Sequence, residues 1–382
     1  MKISIVMGFF LPVPPVAGGA TEKTWHRLAH EFVARGHEVA IFSRRWPDFA
    51  NDETVEGIKY VRLRGYAHTP RLWQNLLLDF FWSRRVSRAL PTADIVIVNC
   101  ISLPIWLGAR RPEAGRVVVL AGRVPKGQFR FYRHLSRVLA PSTDVQKKIV
   151  AENPKLADIV RVTGYPIAWS ELEKKSPPHD SDLPLTIGYV GRLHREKGLD
   201  LLRAALRLLA AEKVPPWRVI LCGPSDVARG GSGPDYAKKL ADEFRTFLPP
   251  ARFSLLDPIF ETEALKKIYH QIDIFCYPSL ATRGETFGVA AADAMAASAA
   301  PVVSRLACFS DLITHRENGL VFDHATSDAP AQLASALREL LTDSALRRKL
   351  AVAARETTRR YDFPIFADAL LGDFTSLTTA ST

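Results

Sequence analysis

Two periodicities alternate along the chain. Short, mostly apolar runs of strand length are separated by longer stretches in which apolar residues recur at helical spacing. In the first half the runs are Ile3–Phe10, Val39–Phe42, Tyr60–Leu63, Asp94–Asn99, Val117–Leu120 and Val138–Ala140. Between the first two, Thr21–Ala34 puts Trp25, Leu28, Ala29, Phe32 and Val33 on one helical face, and Gly36 stops it. Strands apolar on both faces must be covered on both faces. Their alternation with helices therefore predicts a parallel sheet between helical layers.

The character changes at Glu171–Leu183, a polar, proline-bearing stretch read as a linker. The pattern then restarts. Leu185–Val190 reads as a strand ending at Gly191, and Leu199–Ala211 as a helix. Further strands are expected at Val219–Cys222, Phe253–Leu255, Ile272–Tyr277 and Pro301–Val303, and helices at Glu263–His270 and Val289–Ala297. Pro330 to about Thr358 is helical, and Pro364–Phe374 is a last helix. Each half opens with a strand, a glycine-bearing turn and a helix. The expected class is α/β, with two doubly wound, Rossmann-like domains facing a cleft and ligands at the carboxyl ends of the strands. The expected boundaries are 1–170 and 184–360, with a final helix over about 361–382 rejoining the first domain.

The length, 382 residues, suits two domains. The four cysteines, Cys100, Cys222, Cys276 and Cys308, are far apart, which argues against a zinc site or a disulfide framework and for a reducing, cytoplasmic setting. The apolar start raises the question of a secretory leader. A single lysine precedes it, and Pro12, Pro14 and Pro15 follow at once, so a first buried strand is expected instead. No apolar stretch reaches the roughly 18 residues that a spanning helix needs. The net charge of +11 favours anionic partners without choosing among nucleotide phosphates, acidic headgroups and nucleic acid.

Three constellations carry candidate chemistry. Gly18-Gly19 lies between the first strand and the first helix, where either close backbone approach to a ligand or a loop needing positive φ accounts for it. Gly191-Arg192-Leu193-His194-Arg195-Glu196-Lys197-Gly198 sits where a strand hands over to a helix. There the Arg192 guanidinium and the Lys197 ammonium can neutralise a diphosphate as charge develops on it. In Glu285-Thr286-Phe287-Gly288-Val289-Ala290-Ala291-Ala292-Asp293, Glu285 stands at the mouth of a small-residue helix whose first N–H groups, from about Gly288 and Val289, suit a phosphate. Asp293, further along, can accept hydrogen bonds from a pair of ribose hydroxyls or stand exposed on a capped helix. Asp180-Ser181-Asp182 has the D-x-D pattern of metal-dependent transferases of another fold. It lies in the linker rather than after an apolar strand and reads as coincidence.

These motifs, in this order, resemble the retaining glycosyltransferases of family 4, which have the GT-B fold. The resemblance covers most of the chain and is strongest in Gly191–Gly198, Glu285–Met295 and the stretch from Asp311 to Phe322. It implies a nucleotide diphosphate sugar, UDP- or GDP-linked, as co-substrate, with no metal or other cofactor. It implies that Arg192 and Lys197 bind the diphosphate, that Glu285 contacts the sugar, that Asp293 holds the ribose, and that the first domain binds a glycan or lipid-linked acceptor in bacterial polysaccharide or glycolipid synthesis. The chain departs from the family pattern in several places. Asp293 stands where the family has Glu. The middle strands of the first half end in Asn99-Cys100 and Ala121-Gly122, without the family's histidine. Gly164-Tyr165-Pro166-Ile167 replaces the usual Asn-Gly-Ile-Asp, and the glycine near the base pocket is replaced around Asp257-Pro258, leaving the Ile259 backbone to meet the base.

Two further stretches bear on the basic charge. Leu72–Leu90 packs Trp73, Leu76, Leu77, Leu78, Phe80, Phe81 and Trp82 beside Arg84, Arg85 and Arg88, which fits a helix buried in the first domain or one lying in a membrane interface. Arg123, Lys126, Arg130 and Arg133, interleaved with aromatics, suit a phosphate-bearing lipid acceptor, anionic headgroups or simply a solvated basic face. No RNA-binding signature accompanies them, and nucleic acid is not expected as a partner. The rival readings are an NAD-linked enzyme, which lacks its G-x-G-x-x-G here, and a hydrolytic or non-catalytic nucleotide-sugar-binding relative.

Overall fold

A computed structural model describes residues 1–173, 183–259 and 261–379. The Asp180-Ser181-Asp182 pattern lies outside the described residues. The chain divides into two compact units, Met1–Pro166 with Phe363–Thr382, and Ile167–Asp362.

The first unit is built on β1 (Lys2–Val6), α1 (Ala20–Ala34), β2 (Glu38–Arg44), β3 (Asp52–Val55), β4 (Ile58–Leu63), α2 (Leu72–Ala89), β5 (Ile95–Val98), a short α3 (Leu107–Arg110), β6 (Arg116–Leu120), β7 (Arg137–Ala140), α4 (Thr143–Glu152) and β8 (Val160–Val162). The strands form one sheet in the order β3-β4-β2-β1-β5-β6-β7-β8. Every pair is parallel except β3 on β4. The apolar start of the chain is the middle of this sheet, with Ile3 paired to Val39 on one side and Ile95 on the other.

The second unit contains β9 (Leu185–Val190), α5 (Leu199–Ala210), β10 (Trp217–Cys222), α6 (Pro234–Arg245), β11 (Phe253–Leu256), α7 (Thr262–Gln271), β12 (Ile274–Tyr277), α8 (Val289–Ala296), β13 (Ala300–Ser304), β14 (Leu320–Phe322), α9 (Ala329–Thr342) and α10 (Ser344–Thr358). Its sheet is wholly parallel, in the order β11-β10-β9-β12-β13-β14. The expected single helical stretch from Pro330 is two helices. Asp343 ends the first and caps the second by accepting the Leu346 N–H at 2.8 Å.

The last helix, α11 (Phe363–Thr379), belongs to the first unit. Phe374 meets Phe32 edge-on, Asp373 takes a bidentate pair of hydrogen bonds from Arg137 at 2.7 and 2.8 Å, and Asp368 pairs with Arg35.

The Leu72–Leu90 stretch, read as a helix buried in the first domain or one lying in a membrane interface, forms a helix that is buried on one face only. Asp79, Trp82, Ser83 and Val86 face the core, where the Trp82 indole donates to the Met7 carbonyl, while Leu72, Trp73, Leu76, Leu77, Phe80 and Phe81 are exposed. A helix packed against one face of a sheet can bury only one of its own sides, so apolar residues on the other side stay exposed.

Candidate functional site

In the second unit β9 lies between β10 and β12, so the chain leaves β9 and β12 in opposite directions. The crevice this opens at the carboxyl ends of the two strands is where doubly wound sheets take ligands. Gly191–Lys197 follows β9, and Pro278–Gly288 follows β12.

The two loops are fastened to each other. The Leu280 N–H donates to the Glu196 carbonyl at 2.7 Å. Gly198 sits at φ 70° directly against Pro278, whose carbonyl oxygen a Cβ at Gly198 would meet at 1.9 Å. Only glycine fits both constraints.

This fastening brings Lys197 onto Glu285. The Nζ donates to Oε2 at 2.6 Å, and both residues are buried, at 4% and 9% exposure. Ser279 Oγ donates to the same oxygen at 3.3 Å, and the Tyr277 hydroxyl is hydrogen-bonded to Glu285 as well. Burial first and the Glu285 charge second push the Tyr277 phenol well above its ordinary range. Tyr189 stacks on Tyr277 with centroids 5.6 Å apart and is pushed up for the same two reasons. The carboxylate is thus fixed by a cation and by hydroxyl donors that stay protonated.

Arg192 stands beside this cluster with its side chain 38% exposed. It donates to Glu196 at 2.9 Å and to the Gly230 carbonyl at 2.7 Å, which fix the direction of the guanidinium. It carries more donors than these contacts use, so an anion can be added without breaking them.

The third element is the start of α8. Gly288 precedes it at φ 91° and has no side chain to cap the first turn. A Cβ at Gly288 would run into the Phe309 ring at 2.6 Å. Val289, the first helical residue, is exposed, while Phe287 is buried with its ring edge-on to Tyr361. An uncapped helix start with an accessible first residue offers N–H groups to an anion.

Asp293, one turn further along α8, has a partner that the sequence did not reveal, the Tyr269 hydroxyl from α7. Burial pushes its carboxyl up to about 7, against the lowering effect of that hydrogen bond. Ile259 follows β11, and its N–H meets the Cys222 thiol at the end of β10.

In the first unit, Gly18 and Gly19 adopt φ 84° and 96° ahead of α1. The buried Glu22 lies against this turn, its carboxyl raised by desolvation, with the Arg123 charge acting the other way. Lys126, Arg130 and Arg133 are exposed on the same loop as Arg123. The loop is tied to α4 through Glu152, which accepts the Gly127 and Phe129 N–H groups at 2.6 and 3.2 Å. Asn99, at the end of β5, takes the Trp25 indole N–H at 2.8 Å.

The structure therefore brings Lys197 and Glu285 into contact and places Arg192 on the same loop as Lys197. It puts Asp293 on α8 and Ile259 after β11 in that unit, and gathers Gly19 and Arg123 around Glu22 in the other. Sequence reasoning missed Glu22, Tyr189, Glu196, Tyr277 and Ser279. Tyr277 and Ser279 lie at and just after the end of a strand it had found, and Glu196 lies inside a motif it had quoted, so strand-end position was the available signal. The four cysteines are buried and unpaired, and no helix among the described residues is long and apolar enough to cross a membrane.

Comparisons with known proteins bear on the family and the fold. Residues 170–357 match the family described as "Glycosyl transferases group 1", and residues 17–163 match "Glycosyltransferase Family 4". A D-inositol 3-phosphate glycosyltransferase of Corynebacterium urealyticum is 30% identical over 63% of this chain and 51% of its own length, so the chain spans about half of that relative. A phosphatidyl-myo-inositol mannosyltransferase of Mycobacterium tuberculosis is 24% identical over 97% of this chain and 96% of its own. Among solved structures, a sucrose-phosphate synthase of Thermosynechococcus elongatus superposes with a TM-score of 0.77 at 20% identity, covering both chains fully. The Anabaena protein HepE, in complex with UDP and glucose, superposes at 0.71 with 17% identity, covering 98% of this chain and 100% of its own. The fold of this chain is that of the GT-B glycosyltransferases.

Proposed function

For a chain that belongs to the glycosyltransferases of family 4 and the group 1 type, we propose retaining, metal-independent transfer of a hexose-type sugar from a UDP- or GDP-sugar to a phosphate-bearing glycan or lipid-linked acceptor. The observation that carries the reading is the buried Lys197–Glu285 pair at the sheet's switch point, beside Arg192 and the uncapped start of α8. It puts cations for a diphosphate next to a carboxylate fixed for a sugar.

In this reading Arg192, Lys197 and the first N–H groups of α8 at Gly288 and Val289 hold the diphosphate. Glu285 orients the sugar hydroxyls, Asp293 accepts from the ribose, and the Ile259 backbone meets the base. The anomeric C–O bond to the leaving phosphate breaks as the acceptor oxygen bonds to the same face of that carbon. The acceptor proton passes to the departing phosphate oxygen, so no side-chain base is assigned. Arg123, Lys126, Arg130 and Arg133 receive the acceptor phosphate at a cytoplasmic site. The names of the inositol-phosphate and phosphatidylinositol relatives support an acceptor of that chemistry.

Incubation with each UDP- and GDP-sugar, with and without inositol phosphate, phosphatidylinositol or a glycan, tests this. Acceptor-dependent release of nucleoside diphosphate, and a product whose anomeric configuration by NMR matches the donor, is expected. Free sugar released without acceptor would make the protein a hydrolase, and no turnover with bound nucleotide would make it a binding protein.

A further inference from the structure

We propose that α2 is a docking element for bilayers rich in anionic lipid, and that it lies on the membrane rather than crossing it. This inference does not depend on the transfer reaction.

The outer face of α2 consists of two adjacent stripes at a spacing of four. One runs Leu72, Leu76, Phe80, Arg84, Arg88, and the other Trp73, Leu77, Phe81, Arg85. Each stripe is apolar for the first half of the helix and cationic for the second. The apolar half is open, with Leu72 and Trp73 exposed to 69% and 61%. Ile105, on the turn that packs against α2, and Ile101 extend the exposed apolar surface, and Trp106 meets Phe80 edge-on at 5.5 Å. Water-exposed apolar surface of this contiguity marks an interaction site.

The cationic half identifies the occupant. Phe81, Leu63 and Ala89 join Arg84, Arg85 and Arg88 in lining a groove of about 360 Å³. Arg85 is held there by the Arg64 carbonyl and the Tyr66 hydroxyl. The groove collects positive charge directly beside the apolar stripe. A bilayer surface offers both complements at once, acyl chains for the Leu and aromatic side chains and headgroup phosphates for the guanidiniums. The opposite face of α2 is anchored through Trp82 and through Asp79, which accepts the Ile101 and Ser102 N–H groups at 3.2 and 2.7 Å. The helix therefore presents its outer face as part of a folded unit.

Flotation of the full-length protein with vesicles of phosphatidylcholine, alone or mixed with phosphatidylglycerol, tests the proposal. The mixed vesicles should carry the protein and the neutral ones should carry about tenfold less or lower. Tryptophan fluorescence should shift to the blue only with the mixed vesicles, and Trp73→Phe should remove most of that shift. Leu77→Ser with Phe81→Ser should abolish flotation, and Arg84→Gln with Arg88→Gln should weaken it by about fivefold per arginine. Both altered positions in each variant are exposed, and unchanged thermal unfolding confirms folding. Equal flotation on neutral vesicles, flotation retained by Leu77→Ser with Phe81→Ser, or no flotation at all would overturn the proposal. So would a concentration-dependent dimer dissolved by the same substitutions, because a second copy would then cover the face.

Discussion

At the scale of single residues the site rests on charges that are costly to leave alone. Lys197 and Glu285 are both buried, so removing one leaves the other without its counter-ion. Lys197→Met should destabilise the protein by about 3 kcal/mol in denaturant unfolding. Adding Glu285→Gln should restore most of that loss while activity stays absent. Asp293 gives a pH-dependent signature. Its folded-state carboxyl titrates at about 7, above its ordinary range, so the folded chain holds a proton there that the unfolded chain has already released. That preference stabilises the fold at low pH and is lost as pH rises from the ordinary carboxylate range through about 7. Stability relative to Asp293→Asn should fall across that window and level off above it. If the ionised carboxylate accepts the ribose hydroxyls, nucleotide affinity should rise as pH passes 7 and should be flat in Asp293→Asn. Isothermal titration across the window checks both the sign and the midpoint.

At the scale of elements, the loops that follow β9 and β12 act as one piece because Gly198 lets them touch. Gly198→Ala forces a left-handed conformation on a residue with a Cβ and drives that atom into the Pro278 carbonyl. It should lower stability by at least ~1 kcal/mol and weaken nucleotide binding together, as thermal unfolding with and without nucleotide will show. The strands that carry this site were legible in the sequence because a parallel strand covered on both faces is a run of apolar residues, as in Leu185–Val190 and Ile274–Tyr277. What periodicity could not find were three of the four edge strands. β3 is polar and exposed, and β8 and β14 have three residues each, too few to set a period. Motif spacing identified Lys197 and Glu285 separately. Their contact across 88 positions and the Tyr269 partner of Asp293 depend on sheet order, which periodicity does not encode. The exposed face of α2 was obscured for a related reason, since hydrophobicity along a helix does not say how much of it the fold can cover.

At the scale of the whole molecule, two units each carry their own sheet, and α11 completes the first although it ends the chain. Truncation before Phe363 removes Phe374 from Phe32 and leaves Arg137, nearly buried, without Asp373. The first unit should then unfold earlier by about 3 kcal/mol, by the same penalty for an orphaned buried charge. The second unit keeps Arg192, Lys197, Glu285 and α8, so nucleotide should still protect it. Two separated transitions in calorimetry, with only one of them moved by nucleotide, is the expected result.

Thermal unfolding with UDP-, GDP-, ADP- and dTDP-sugars shows whether the second unit holds a nucleoside diphosphate sugar through Arg192. At a ligand concentration about a hundredfold above Kd, binding should add about 2.7 kcal/mol to the stability of the wild type. One nucleotide class should raise the melting temperature, and the rise should vanish at the same concentration in Arg192→Ala, whose own melting temperature stays near that of the wild type. A shift retained in Arg192→Ala would take the donor away from Arg192, and a well-folded wild type that no donor stabilises would rule out the donor site.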